Sequence, residues 1–275
     1  MGWNDIDRMF HRALKFCFSK KKFLFTYPLV ASCGVFITLF RALSEGAGDW
    51  VRLKFSFFPI FITASILLAT GIVLIRAYHN EVRGLSFSFR ELGKKSWDLI
   101  VSATYLTLPL SMAYLMLWSV IGFFYILKEI PVIGTVVSIL LSFVPFVLVL
   151  SFIMLAVVNM LVIFFLTPPV ALRSECSFEM VLRQWKTVQA RLLTHIALLL
   201  FAILPVAIVL GLLYFAGLVT ESTYVIASSG FSYFGQQVVT SLAFSALTTP
   251  VAIFFFNFAA ESYIFLRKTE RSSVL

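Results

Sequence analysis

Few side chains capable of chemistry lie inside the apolar runs of this 275-residue sequence. Asn159 and Asn257 are the more interior polar residues. An amide at such a position either hydrogen-bonds across helices or contacts a substrate. Asp98 and His195 fall at the inner ends of the third and fifth apolar segments, and Glu261 near the inner end of the last. Ionisable groups at membrane depth mark ion pathways or proton relays, because hydrocarbon penalises charge by a few kcal/mol or more. Here the middle of every apolar segment lacks Asp, Glu, Lys and Arg. That distribution argues against a proton-driven pump. It leaves Asp98, His195 and Glu261 either as interfacial groups paired with Arg or as the candidates for a lipid-modifying site.

Other chemistry finds no pattern to rest on. Cys17, Cys33 and Cys176 have neither metal-ligand nor disulfide spacing. Three scattered histidines make no familiar zinc site. There is no His-Glu-x-x-His, no Gly-x-Ser-x-Gly and no phosphate-binding glycine loop. The sequence therefore predicts no catalytic residue, no metal and no cofactor.

The elements that would position these residues are membrane helices. The chain is 60% apolar and 13% charged, whereas a soluble domain is about half apolar and about a quarter charged. A span needs roughly 20 apolar residues. Continuous apolarity, rather than alternation, selects helices over a β-barrel. We read an all-α integral membrane protein, a six-span bundle with short cytoplasmic interfacial helices. The spans are placed at about 23–40, 55–75, 98–127, 145–167, 192–216 and 238–263. Residues 1–22 form an amphipathic cytoplasmic segment, 23–266 one membrane domain and 267–275 a cytoplasmic tail. The stretch 131–142, punctuated by Pro131 and Gly134, reads as re-entrant, interfacial or part of a span. Pro168-Pro169 are expected to end the fourth span, and Pro109 and Pro205 to kink the third and fifth.

Orientation follows from the basic residues. Six Lys/Arg precede the first span, five lie in 76–97, four in 170–191 and three in the tail. The remaining four of 22 are Arg41, Arg52, Lys54 and Lys128. The positive-inside rule then puts both termini in the cytoplasm and explains the net charge of +9 without nucleic acid. Arg8, Arg12, Lys15, Lys94, Lys95, Arg183 and Lys186 form an interfacial basic set suited to anionic headgroups. In 4–18, Ile6, Met9, Phe10, Ala13, Leu14 and Cys17 share a helical face. That face either lies in the membrane surface or docks on the protein's own loops. Ser88-Phe89-Arg90-Glu91 matches a capping box and predicts a short interfacial helix there.

The segment LTPPVALRSECSFEMVLRQWKTVQARLLTHIALLLFAILP, about 168–205, resembles a broad bacterial six-span family. That family includes the membrane domain attached to some glycerophosphodiester phosphodiesterases. The resemblance implies a six-helix bundle in the bacterial inner membrane. It carries no reaction, since no phosphodiesterase domain accompanies it here. We read the function as that of a non-enzymatic inner-membrane scaffold for envelope assembly or maintenance, with a membrane or cytoplasmic protein partner. The alternative is a small-molecule or lipid transporter with a cavity lined by Asn159, Asn257 and the proline-kinked spans. A solid bundle favours the first and a converging cavity the second.

Overall fold

The computed structural model describes residues 3–44, 49–130, 143–173, 179, 186–187, 192–223 and 231–272. These residues fold as helices, without strands. In chain order the helices are α1 (Trp3–Lys15), α2 (Lys20–Ser44), α3 (Asp49–Val82), α4 (Phe89–Glu129), α5 (Val144–Arg173), α6 (Leu192–Thr223) and α7 (Phe231–Ser272). Five segments are long and apolar enough to cross a membrane: Lys20–Ser44, Phe58–Val82, Val149–Leu172, Leu193–Thr220 and Tyr233–Lys268. Helix α4 carries a shorter apolar stretch, Ser111–Phe124.

The helices extend past the expected spans. Helix α3 continues to Val82, and the chain turns at Gly84, whose φ of 70° suits glycine. Ser88 is the N-cap of α4, but its side chain makes no capping hydrogen bond, and the helix runs on unbroken for 41 residues. The expected short interfacial helix is thus the first turns of α4, because Gly93 and Pro109 are both accommodated inside it. Pro168 and Pro169 also lie within a helix, not at its end. A proline removes one backbone donor and crowds the preceding turn. Around them the Thr167 hydroxyl donates to the Ile163 carbonyl, and Arg76 Nε donates to the Ala171 carbonyl at 3.0 Å. The Arg76 bond serves a carbonyl that the end of the helix leaves open, whereas the Thr167 bond is an ordinary back-bond within the helix. The expected interfacial or re-entrant stretch 131–142 and most of 170–191 lie outside the described residues.

Helices α3 and α7 are central. Helix α7 packs closely against α1, α2, α3, α5 and α6, and α3 against α2, α4, α5 and α7. Small residues permit the approach. A Cβ at Gly34 of α2 would collide with the Ser241 hydroxyl of α7, and one at Gly71 of α3 would collide with the Phe256 ring. The core runs through Leu68, Ile72 and Ile75 of α3, Phe164 of α5, Leu198 and Ala202 of α6, and Ile253 to Ala260 of α7.

The apolar face of α1 belongs to this core. Met9, Ala13 and Cys17 are buried, and the Phe10 ring packs edge-on against Phe254, with centroids 5.0 Å apart. The face is covered by helix α7, so of the two sequence readings the docked one describes this structure, with a helix rather than a loop as its seat. Arg8, His11, Arg12 and Lys15 point outward from it.

Candidate functional site

The bundle is packed differently at its two ends. At the end where α2 begins and α3 and α7 finish, buried polar groups are paired. Lys22 is fully buried (0% exposed) and forms an ion pair with Glu81 of α3. Its Nζ also donates to the Phe16 carbonyl at 3.2 Å and lies 5.1 Å from the Tyr78 ring centroid. The Tyr78 hydroxyl donates to Glu261 Oε1 at 2.6 Å. Arg76 joins three helices: besides Ala171 of α5, its Nη1 reaches the Lys95 carbonyl at 3.1 Å and Ser96 Oγ at 2.9 Å in α4. The Cys17 thiol donates to the Pro250 carbonyl, and burial pushes its pKa up to about 11.

At the other end a cavity of about 1450 Å³ opens among α2, α3, α5, α6 and α7. Small-molecule pockets typically measure roughly 300–1,000 Å³, so this one has room for a larger guest. Its α2 wall, Val30 to Arg41, rises about 16 Å and its α6 wall, Val206 to Thr220, about 21 Å at about 1.5 Å per residue. Those lengths cover half or more of a hydrocarbon core about 30 Å thick. The floor is formed by Asn159, Ile163, Phe255 and Phe256.

Hydroxyls line much of the α7 wall, yet most are already committed. Thr240 donates to the Gln236 carbonyl, Ser245 to Ser241 and Thr248 to Phe244. Thr38 on α2 and Thr63 on α3 likewise donate to their own helices. Such back-bonding leaves a wall that is apolar in effect. The polar groups free to meet a guest are the Asn159 amide at depth and Arg41, Tyr233, Gln236 and Gln237 at the mouth. Among the described residues Arg41 is the one charge in the lining, and it makes no ion pair with any of them.

The residues singled out from sequence divide between these regions. Asn159 is buried (4% exposed), lines the cavity and has no hydrogen-bond partner among the described residues. Asn257 is not at the cavity: it is fully buried and its Nδ2 donates to the Ala13 carbonyl at 3.3 Å. The two amides therefore do not bond each other, and the expected cavity lining by both is corrected to Asn159 alone, because α1 covers Asn257. Glu261 is buried and paired with Tyr78 rather than with an interfacial Arg. His195 is buried against the Phe165 ring, centroids 5.1 Å apart, while Asp98 is exposed. The structure does not gather Asp98, His195 and Glu261 with a third acid or metal ligand, and no metal-holding group of three occurs among the described residues. Arg8, Arg12, Lys15, Lys94, Lys95 and Lys186 are exposed. Arg183 lies outside the described residues.

Sequence reasoning missed Lys22, Tyr78, Glu81 and Arg76. A signal was present: Tyr78 and Glu81 sit one helical turn apart, at the end of an apolar run. It also missed the α7 stripe Gln237, Ser241, Ser245 and Thr249, whose spacing of four marks one helix face. No known protein family, curated protein or solved structure matches this chain.

Proposed function

We propose that this chain is a six-span bacterial inner-membrane protein that takes an amphiphilic, lipid-like molecule into its central cavity, as a transporter or lipid-handling protein. The observation that carries this reading is the cavity itself, deep, apolar-walled and polar at its mouth. A solid bundle would have favoured the scaffold. Helix α4 supplies the sixth span, with Ser111–Phe124 in the hydrocarbon. Both termini are cytoplasmic, which supplies the basic set Arg8, Arg12, Lys15, Lys94, Lys95 and Lys186 with anionic headgroups of the inner leaflet. The cavity then opens toward the outer face and is closed on the inner side by the paired polar layer and α1.

Two experiments test this. Reporter fusions after residues 22, 90, 180 and 270 should report cytoplasm, and fusions near 47 and 225 the outside. Native mass spectrometry of the purified protein should show one acyl-chain lipid bound, and Ala156→Trp, which fills the cavity from α5, should remove it. Absence of any bound or exchangeable lipid from the parent protein would leave the cavity without this role.

A further inference from the structure

We infer that the cavity's guest is an anionic amphiphile held head-up, with a single negatively charged headgroup on Arg41 and its acyl chain in the shaft below. The inference rests on the cavity being a ligand site and names the class of ligand. The lining is graded along its axis. Beneath the mouth the walls are Val30, Ile37, Ile60, Leu67, Val206 and Phe244, a passage suited to methylene groups. Most of the hydroxyls interspersed among them already donate to their own helices, so they offer a sugar or a peptide few free donors.

The mouth differs in kind. Tyr233, Gln236 and Gln237 fall in the first two turns of α7 on the cavity side, facing Arg41 in the last turn of α2. A guanidinium is always charged and presents a planar fork that fits phosphate or carboxylate oxygens. The two amides and the phenol add donors around it. Among the described residues of the lining Arg41 is the one charge, and it is positive. A cationic headgroup finds no acidic partner among the described lining residues, and a neutral one leaves the guanidinium without a counter-charge. The position of the charge relative to the shaft fixes orientation: a headgroup on Arg41 directs its chain toward Asn159 and Phe256.

The test uses the full-length protein in neutral detergent. Lyso-phosphatidylglycerol and lyso-phosphatidylcholine of equal chain length are titrated separately, and inorganic phosphate is added as competitor. The anionic lipid should bind the parent protein more tightly. Arg41→Gln should weaken it by about tenfold, the order of one charge-assisted hydrogen bond, and should weaken the zwitterionic lipid less, because the choline cation already offsets its phosphate. Arg41→Lys should restore part of the loss. Phosphate alone should not compete at concentrations near that of the lipid, since it leaves the shaft empty. Equal affinity for the two lipids with no response to Arg41→Gln would overturn the headgroup assignment while leaving the cavity a lipid site. Binding of neither lipid would remove the lipid reading altogether. Full displacement by phosphate would overturn the acyl-shaft half of the inference.

Discussion

The two ends of this bundle share composition but not packing. From the cavity floor toward the α1 end, helices α3 and α7 meet across Gly71, where the Phe256 ring lies on bare backbone, and charges such as Lys22 are buried with partners. At the cavity end α7 keeps its hydroxyls for its own carbonyls and stands off from its neighbours. Both ends carry Gly, Ser, Thr and Phe. What differs is whether a polar group is satisfied across helices or within one. Cross-helix bonds tie elements together, and self-satisfied hydroxyls leave them free to separate.

The largest effect should come from the buried ion pair. Lys22→Met leaves Glu81 without its partner in a poorly hydrated site, and should cost about 3 kcal/mol of stability. Thermal unfolding in detergent measures it. Arg41→Gln at the cavity mouth, an exposed site, should change stability by less than about 0.5 kcal/mol. Comparable losses at both positions would erase the contrast between the ends. Replacing Lys22 and Glu81 together by Met and Leu should recover much of the loss, because no unpaired charge remains.

A glycine pair sharpens the same contrast by sign. Gly71→Ala must displace the Phe256 ring, and overpacking of this kind costs about 1–3 kcal/mol. Gly235 lines the cavity mouth, and a Cβ there meets nothing within 4 Å. Gly235→Ala should therefore stabilise α7 by about 0.5–1 kcal/mol through helix propensity alone. Stabilisation by both would mean that Phe256 has room to move and that the α1 end is not tightly packed.

The helices were legible in sequence because continuous apolarity is a property of the chain itself. The amphipathic face of α1 was legible too, through Met9, Ala13 and Cys17. What covers that face was not, since lipid and α7 make the same demand of it. Lys22 was hidden by its neighbours: in the run Lys20-Lys21-Lys22 only the third turns inward, while the other two are exposed. Which member of a basic run is buried depends on where Glu81 arrives from another helix. The cavity was the least legible feature. Its lining consists of the residue types that elsewhere pack solidly, and a gap between helices leaves no mark on any one of them.

The two amides provide a smaller, additive test. Asn257→Leu breaks the bond to the Ala13 carbonyl and should cost about 0.6–1.7 kcal/mol, the range for interhelical hydrogen bonds in membranes. Asn159→Leu removes no protein hydrogen bond among the described residues and should be near neutral for stability while altering guest binding. The pair shares no partner, so the double variant should equal the sum within about 0.5 kcal/mol. A marked departure from additivity would mean that the two amides communicate through the cavity floor.

The last effect, absent near neutral pH, is a pH response at Cys17, where α1 turns into α2. Burial raises this thiol from 9.0 to about 11, because the thiolate loses its water. An acid whose folded pKa lies above its unfolded one releases its proton first in the unfolded state. Its contribution to stability is thus complete below about pH 9 and lost as pH rises from about 9 toward 11. Cys17→Ser should flatten that part of the stability curve without altering it near neutrality. The same burial should protect the thiol from maleimide at pH 7.5, whereas Phe10→Ala, which weakens the seat of α1 against Phe254 and Phe258, should speed its labelling. Rapid labelling of the parent protein would show that α1 leaves α7 readily, and the closed end of the bundle would then be as open to motion as the cavity.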